Sequence, residues 1–340
     1  MNQMKKSENN DFNKVIEAIR TNNRFFIGTH VFPDGDNIGS VIALKLILER
    51  LNKFAYPYCE THIPIFYKWL EGEGDIHHEL PKVSVRDFDA IIVLDSGDLK
   101  RLGRKFYEWV RDDKTIIVNI DHHITNAGFG DINWVDHTYA ASGEQVFEIA
   151  KILGVELDLT IATAIFTAIY TDTGRFSYSN TNARTMYYAA ELVAAGVVTN
   201  EIYRKVYASR SLAALKLERE VLQTLVYDED YRLAYMTMTL DMVERSGALI
   251  EDSEGIIEHV TLFGESVRNF LLFKETSQGE LKVSVRSKGE WDASKVAMLF
   301  GGGGHRGAGG FAVRGPVNEA ISDCIMKIKQ AVNSGIVSRD

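Results

Sequence analysis

Three short runs of β-branched and aromatic residues constrain this chain's fold more than any other feature. They are RFFIGT at 24–29, DAIIVL at 89–94 and TIIVNI at 115–120. Each has the length of a strand and is apolar at successive rather than alternate positions, as in strands covered on both faces. Helical apolar spacing appears at 39–51 (GSVIALKLILERL), 142–153, 159–170, 182–195 and around 212–225. A further strand fits at 54–58. Alternating strands and helices predict an α/β fold with a mainly parallel sheet flanked by helices.

The pattern changes at about 227. An alternating strand is expected at 231–240, a hairpin from 269–275 and 280–287 around 277–279, a short helix at 294–300, a strand at 309–313 and a closing helix at 318–332. With 340 residues there is room for two domains. The expected division is 1–194 for the first domain, 195–226 for a helical linker and 227–340 for a smaller C-terminal α/β domain. No internal repeat or low-complexity tract is visible.

Composition narrows the function classes. A formal net charge of −9 lacks the basic balance of a protein that coats long nucleic acid. No apolar run approaches the ~18 residues of a membrane span. The opening MNQMKKSENNDF has no apolar signal core. With only Cys59 and Cys324 there is no disulfide framework, so a cytoplasmic location is expected.

Four places put metal-ligand residues at a strand end or beside a helix. His30, Asp34 and Asp36 stand in GTHVFPDGDNIGS, Asp95 follows DAIIVL, Asp121-His122-His123 follow TIIVNI, and Asp172 stands in TDTGRFSYSNT. A single polar residue at a strand end is usually a turn or a helix cap. Strand C-terminal ends share one edge of an open parallel sheet, however, so several together can converge on a ligand. Asp34 to Gly39 matches the start of a calcium loop, but Ile38 stands at its fifth position and Lys45 at its twelfth, where a Glu is required. Carboxylates with a few imidazoles and no thiol suit Mn²⁺ better than structural Zn²⁺, with Mg²⁺ and Co²⁺ as alternatives and Fe²⁺ behind them. Six ligands exceed one ion's needs and suit two ions about 3.5–4 Å apart.

The tail Gly301–Gly310 reads GGGGHRGAGG and also fits a dinucleotide-binding GxGxxG, but GGFAV after it is a strand, not the helix that motif needs. Its glycines admit two readings: a tight turn for packing, or backbone N–H groups open to a phosphate. His77 and His78 stand in the Gly/Glu-rich EGEGDIHHEL and are expected in solvent, and His62, His137 and His259 lack ligand partners nearby in sequence. Phe176 and Tyr178 are expected in packing rather than on a nucleobase.

Together these motifs resemble the DHH phosphoesterase superfamily, named for the triplet here at Asp121-His122-His123. The opening motif, Asp95, the triplet, the Asp172 motif and the glycine-rich tail occur in that family's order and cover most of the chain. Length and tail are similar to the stand-alone oligoribonuclease/pAp-phosphatase (exopolyphosphatase-related) group. The resemblance implies a DHH domain, a DHH-associated C-terminal domain and an active site in the interdomain cleft. It implies one metal on His30, Asp34 and Asp95, and another on Asp36, Asp95, His122 and Asp172, with Asp95 bridging. It gives His123 a contact to the phosphoryl oxygens and Asp121 the orientation of an imidazole. Arg286, Gly302, Gly303, Gly304 and His305 would hold a substrate phosphate, with Arg306 a weaker candidate. The implied reaction is manganese-dependent hydrolysis of very short oligonucleotides to mononucleotides, and of pAp to AMP. Polyphosphate, linear dinucleotides such as pApA, and a catalytically silent nucleotide sensor are the alternatives. No membrane partner is expected, and assembly is open between monomer and homodimer.

Overall fold

The computed structural model describes residues 11–337 except 72–75, 209–210, 254, 258–263, 265, 290 and 305. The chain divides into two compact units, Met1–Ser209 and Arg210–Asp340. That division falls inside the 195–226 stretch.

The first unit runs α1 (Phe12–Thr21), β1 (Arg24–Gly28), α2 (Gly35–Arg50), β2 (Phe54–Tyr58), α3 (Lys68–Glu71), β3 (Ala90–Leu94), α4 (Arg104–Val110), β4 (Ile116–Asp121), β5 (Ile132–Val135), α5 (Ser142–Leu153), α6 (Leu159–Asp172), α7 (Ala183–Ala194) and α8 (Thr199–Val206), with short 3₁₀ turns between. The strands form one sheet in the order β2-β1-β3-β4-β5, and every pairing is parallel. Alternate side chains serve opposite layers. Phe25, Ile27, Ile92, Leu94, Val118 and Ile120 pack with α1, α2, α5 and α6. Phe26, Ile91 and Val93 pack on the other side with Phe106 and Val110 of α4. Two covered faces account for strands that are apolar at nearly every position.

Helix α2 begins at Gly35, not at 39. Its first turn is polar because Asp36 and Asn37 face inward, and the Asp34 side chain caps it by accepting from the Asn37 N–H at 3.0 Å. Apolar spacing cannot report such a turn. Helices α1 and α4 and the four-residue β5 were not expected either; β5 is too short to stand out from its loop.

Helix α2 is buried from Gly35 to Leu48 and presses on its neighbours through small residues. A Cβ on Gly39 would lie 2.4 Å from the Ala164 carbonyl oxygen of α6, and one on Gly143 of α5 would lie 2.6 Å from the Ala168 Cβ of α6. Among the described residues, no helix is long and apolar enough to cross a membrane.

The second unit contains α9 (Leu212–Leu222), β6 (Val226–Asp228), β7 (Leu233–Met238), α10 (Leu240–Ser246), β8 (Asn269–Ser277), β9 (Glu280–Ser287), α11 (Ala293–Met298), β10 (Gly303–Gly304), β11 (Ala308–Arg314) and α12 (Val317–Asn333). Its strand order is β10-β11-β9-β8-β7-β6, antiparallel except for β7 with β8. The expected hairpin is present, turning through Gly279 at φ +74°. Leu271 and Phe273 face α11 and α12, whereas Phe270 and Leu272 face Leu217 and Val221 of α9. Helix α9 therefore belongs to this unit's core.

Candidate metal centre

The C-terminal ends of β1, β3 and β4 are neighbours in the sheet, and each delivers ligand-type residues there. His30 follows β1, Asp95 follows β3, and Asp121 ends β4 ahead of His122 and His123. The first turn of α2 adds Asp34 and Asp36, and the last residue of α6 adds Asp172. The fold thus brings all eight to one place. Ligand-type atoms of His30, Asp34 and Asp95 lie within 4.8 Å of one another, as do those of Asp36, His122 and Asp172, and those of Asp95, Asp121, His122 and His123.

Asp95 stands between the first two groups. Its Oδ2 is 3.8 Å from His30 Nε2, and its Oδ1 is 3.4 Å from His122 Nε2. The same His122 nitrogen is 3.5 Å from Asp36 Oδ2 and 3.6 Å from Asp172 Oδ2. These separations exceed good hydrogen-bond lengths. They leave donors close enough to share an ion without bonding one another. Asp95 sits in the left-handed backbone region at φ 54°, which Asp tolerates better than most residues.

Electrostatics favours a cation at this position. Burial, then the facing Asp95, pushes the Asp36 carboxyl well above the usual carboxylate range. Burial, followed by Asp34 and Asp95, raises Asp172 to about 6, against the pull of His122. Burial also works against ionised Asp95, but His122, His30 and His123 outweigh it and hold that carboxyl well below the usual range. Buried carboxylates this close resist ionising together unless positive charge joins them. Oxygen and imidazole donors without a thiol suit a divalent cation, so the residues present fit the expected group.

Supporting bonds fix individual side chains. Asp36 Oδ1 accepts from Ser40 Oγ at 3.0 Å and from the Gly143 N–H at 2.9 Å, and Oδ2 accepts from the Ser142 N–H at 2.7 Å. The start of α5 thus grips a carboxylate of α2, helped by its dipole. Asp121 is wholly buried. Its Oδ1 accepts from the His122 and His123 N–H groups at 2.8 and 3.2 Å and from His123 Nδ1 at 2.7 Å. Its Oδ2 accepts from Asn126 Nδ2 at 2.6 Å. An ionised carboxylate only accepts, so His123 Nδ1 carries the hydrogen and Nε2 is the atom left to exchange protons. Burial opposes the charge on His123, but Asp121 more than compensates and raises its pKa.

Sequence reasoning missed three supports. Asn126 is buried and exchanges amide hydrogen bonds with Asn119; it stands three residues past the triplet, within reach as a signal. Asn180 lies inside the quoted TDTGRFSYSNT and donates to the Asp172 and Ala140 carbonyls at 3.1 and 3.0 Å. The Ser142 and Gly143 N–H groups leave no mark in sequence.

Other singled-out residues lie elsewhere. His77 stacks on Tyr56 at 4.0 Å and His62 faces His78 at 4.9 Å, and neither pair joins a ligand group. Phe176 packs against Phe166 and Tyr170. Tyr178 instead keeps 45% of its surface exposed. His259 and His305 lie outside the described residues.

Within the second unit, Arg286 of β9 pairs with Ala308 of β11, and Gly304 of β10 pairs with Gly309. Arg286 and Gly303–Gly304 therefore share one end of three adjoining strands. A Cβ on Gly302 would lie 2.1 Å from the Gly310 carbonyl oxygen, and one on Gly304 would lie 2.3 Å from that of Ala308. Close approach of the 308–311 backbone alone demands glycine at both. Gly303, unlike Gly302 and Gly304, has open space at its Cβ position, so its backbone stays approachable.

Comparison with known proteins agrees with this arrangement. Residues 24–170 match the model of the DHH family, N-terminal domain. A Thermus thermophilus protein named bifunctional oligoribonuclease and PAP phosphatase NrnA is 34% identical, covering 89% of this chain and 87% of that one. The Bacillus subtilis protein of the same name is 26% identical, over 88% of this chain and 92% of its own. A crystal structure of an exopolyphosphatase-related protein from Bacteroides fragilis superposes with a TM-score of 0.84 at 27% identity, covering 94% of this chain and 96% of that one. Similarity reaching across nearly the whole length, with the Asp-His-His triplet at the sheet edge, makes this chain a member of the DHH family.

Proposed function

We propose that this protein is a two-metal phosphoesterase that hydrolyses very short oligonucleotides to mononucleotides and removes the 3′-phosphate of pAp. The observation that carries this reading is the pair of ligand groups meeting at Asp95, with His123 beside them. The names of the relatives from Thermus thermophilus and Bacillus subtilis supply the substrate class. In this reading His30, Asp34 and Asp95 hold one ion, and Asp36, Asp95, His122 and Asp172 hold the other. Mn²⁺ is the proposed occupant, on its preference for mixed carboxylate and imidazole donors. Two such ions supply Lewis acidity toward a phosphoryl oxygen and an activated water at neutral pH.

The chain's own residues orient and neutralise. Asp121 holds the His123 ring so that Nε2 meets the charge developing on the phosphoryl oxygens or passes a proton to the leaving oxygen. Arg286, with its planar fork, and the open backbone at Gly303 are the proposed contacts for a second phosphate, with Gly302, Gly304 and His305 as further candidates from the sequence. The acidic exterior discourages long polyanions, in keeping with short substrates and a cytoplasmic site of action.

The name of the Bacteroides fragilis protein favours polyphosphate as a second reading. Turnover of pApA, pAp and polyphosphate at equal enzyme concentration with Mn²⁺ separates the two. The nucleotides are expected to be consumed. Hydrolysis of polyphosphate alone would overturn the proposal, and so would metal uptake without any turnover.

Asn126→Ala tests the support under His123. It is expected to lower kcat about 10- to 100-fold with KM unchanged, because it releases Asp121 and not a substrate contact. An unaltered kcat would mean that this bond does not position His123.

A further inference from the structure

Phe32 occupies a position that its backbone, its neighbour and the core all disfavour. It lies in the loop between β1 and α2, two residues after His30 and two before Asp34. Its φ is 54°, the left-handed region, where a bulky side chain is a genuine outlier. Pro33 follows it, and a residue before proline is pushed toward extended backbone instead. Neither does burial account for a phenylalanine here, since 67% of its surface remains exposed. Glycine or asparagine would meet the backbone requirement with less strain.

The loop is nevertheless held firmly. The Phe32 N–H donates to Thr61 Oγ1 at 2.7 Å, the Val31 N–H donates to the Arg101 carbonyl at 2.7 Å, and Pro33 is buried. A strained backbone persists only where its surroundings over-determine it, and such strain gathers at ligand sites. The product is an exposed aromatic residue on a held backbone, placed in the chain between His30 and Asp34 of the His30–Asp34–Asp95 group.

We infer that Phe32 is a stacking platform for the nucleobase of the bound nucleotide. This rests on the proposed phosphoesterase reading and adds base recognition to it. Metal ligands and phosphate contacts cannot distinguish a nucleotide from any other phosphate ester. An aromatic face can, since every base offers a π-face to stack on.

The test uses the full-length protein with Mn²⁺ and compares Phe32→Ala, Phe32→Gly and Phe32→Trp with the wild type. For pAp, the Ala and Gly variants are expected to raise KM on the order of 5- to 100-fold with kcat nearly unchanged. The Trp variant should keep KM near the wild-type value. Calorimetric binding of AMP and of ribose 5-phosphate gives a readout independent of turnover. The wild type should prefer AMP by at least about fivefold, and Phe32→Ala should lose that preference. Phe32→Gly should melt no lower than the wild type, because it relieves the backbone; a lower melting temperature in that variant would point to a structural role and overturn the proposal. A KM within twofold of wild type in Phe32→Ala, or an unchanged preference for AMP, would overturn it too. Absence of any pAp turnover by the wild type would instead sink the phosphoesterase reading, leaving the AMP comparison to judge Phe32.

Discussion

Asp95→Ala is expected to abolish Mn²⁺-dependent turnover, by at least about a thousandfold. Asp95 faces both outlying ligand groups, with one oxygen toward His30 and the other toward His122. Removing it takes a donor from each group and leaves Asp36 and Asp172 to gather one ion with His122 alone. Metal content should therefore fall with activity, measured by elemental analysis after gel filtration. His123→Ala makes the contrast. Its ring nitrogen is engaged by Asp121 at 2.7 Å, and it stands outside the His30 and Asp36 groups. That variant should lose turnover while retaining both ions. Undiminished hydrolysis by Asp95→Ala, or two ions still bound to it, would refute the shared-ligand assignment.

Gly39→Ala should cost more stability than its chemistry suggests. Alanine is the better helix former by about 1 kcal/mol. Against that gain, the new methyl group would sit 2.4 Å from the Ala164 carbonyl oxygen and 3.0 Å from Ala168. A backbone carbonyl inside a helix cannot swing aside, so α2 and α6 must separate. Overpacking of this kind costs about 1–3 kcal/mol, and with no slack in the neighbouring backbone the upper part of that range applies. A net loss of a degree or more, up to roughly 8 °C in melting temperature, follows. Because α6 ends in Asp172 and α2 carries Asp36 in its first turn, weaker Mn²⁺ binding should accompany it. A variant melting at or above the wild-type temperature would show that the helices can part without strain.

The strands and the ligand residues were legible because both rest on strong local signals. A doubly covered strand is apolar at successive positions, as FFI, AIIVL and IIV are within RFFIGT, DAIIVL and TIIVNI. Asp and His directly after such runs can only fall at one sheet edge. What stayed hidden depends on distant partners. The first turn of α2 is helical although polar, since the N–H groups of α5 receive Asp36. The glycines at 302 and 304 look alike in sequence to Gly303, yet the backbone that presses on the first two and leaves the third open separates their roles. Phe32 looked like one more loop residue until its backbone angle and exposure were known.

The order in which the ligand groups occur along the chain has a consequence for biogenesis. His30 emerges from the ribosome early and Asp172 only after α6 has been made, and the Asp36–His122–Asp172 group needs β1, β3 and β4 side by side. An ion has no complete group to bind there until α6 has been made, so it cannot template the early strands. It adds RT ln(1 + [M]/Kd) to the finished fold and nothing before it. Scarcity of metal should thus leave yield of the folded chain intact and shorten its lifetime, so that degradation, not failed assembly, is where starvation shows.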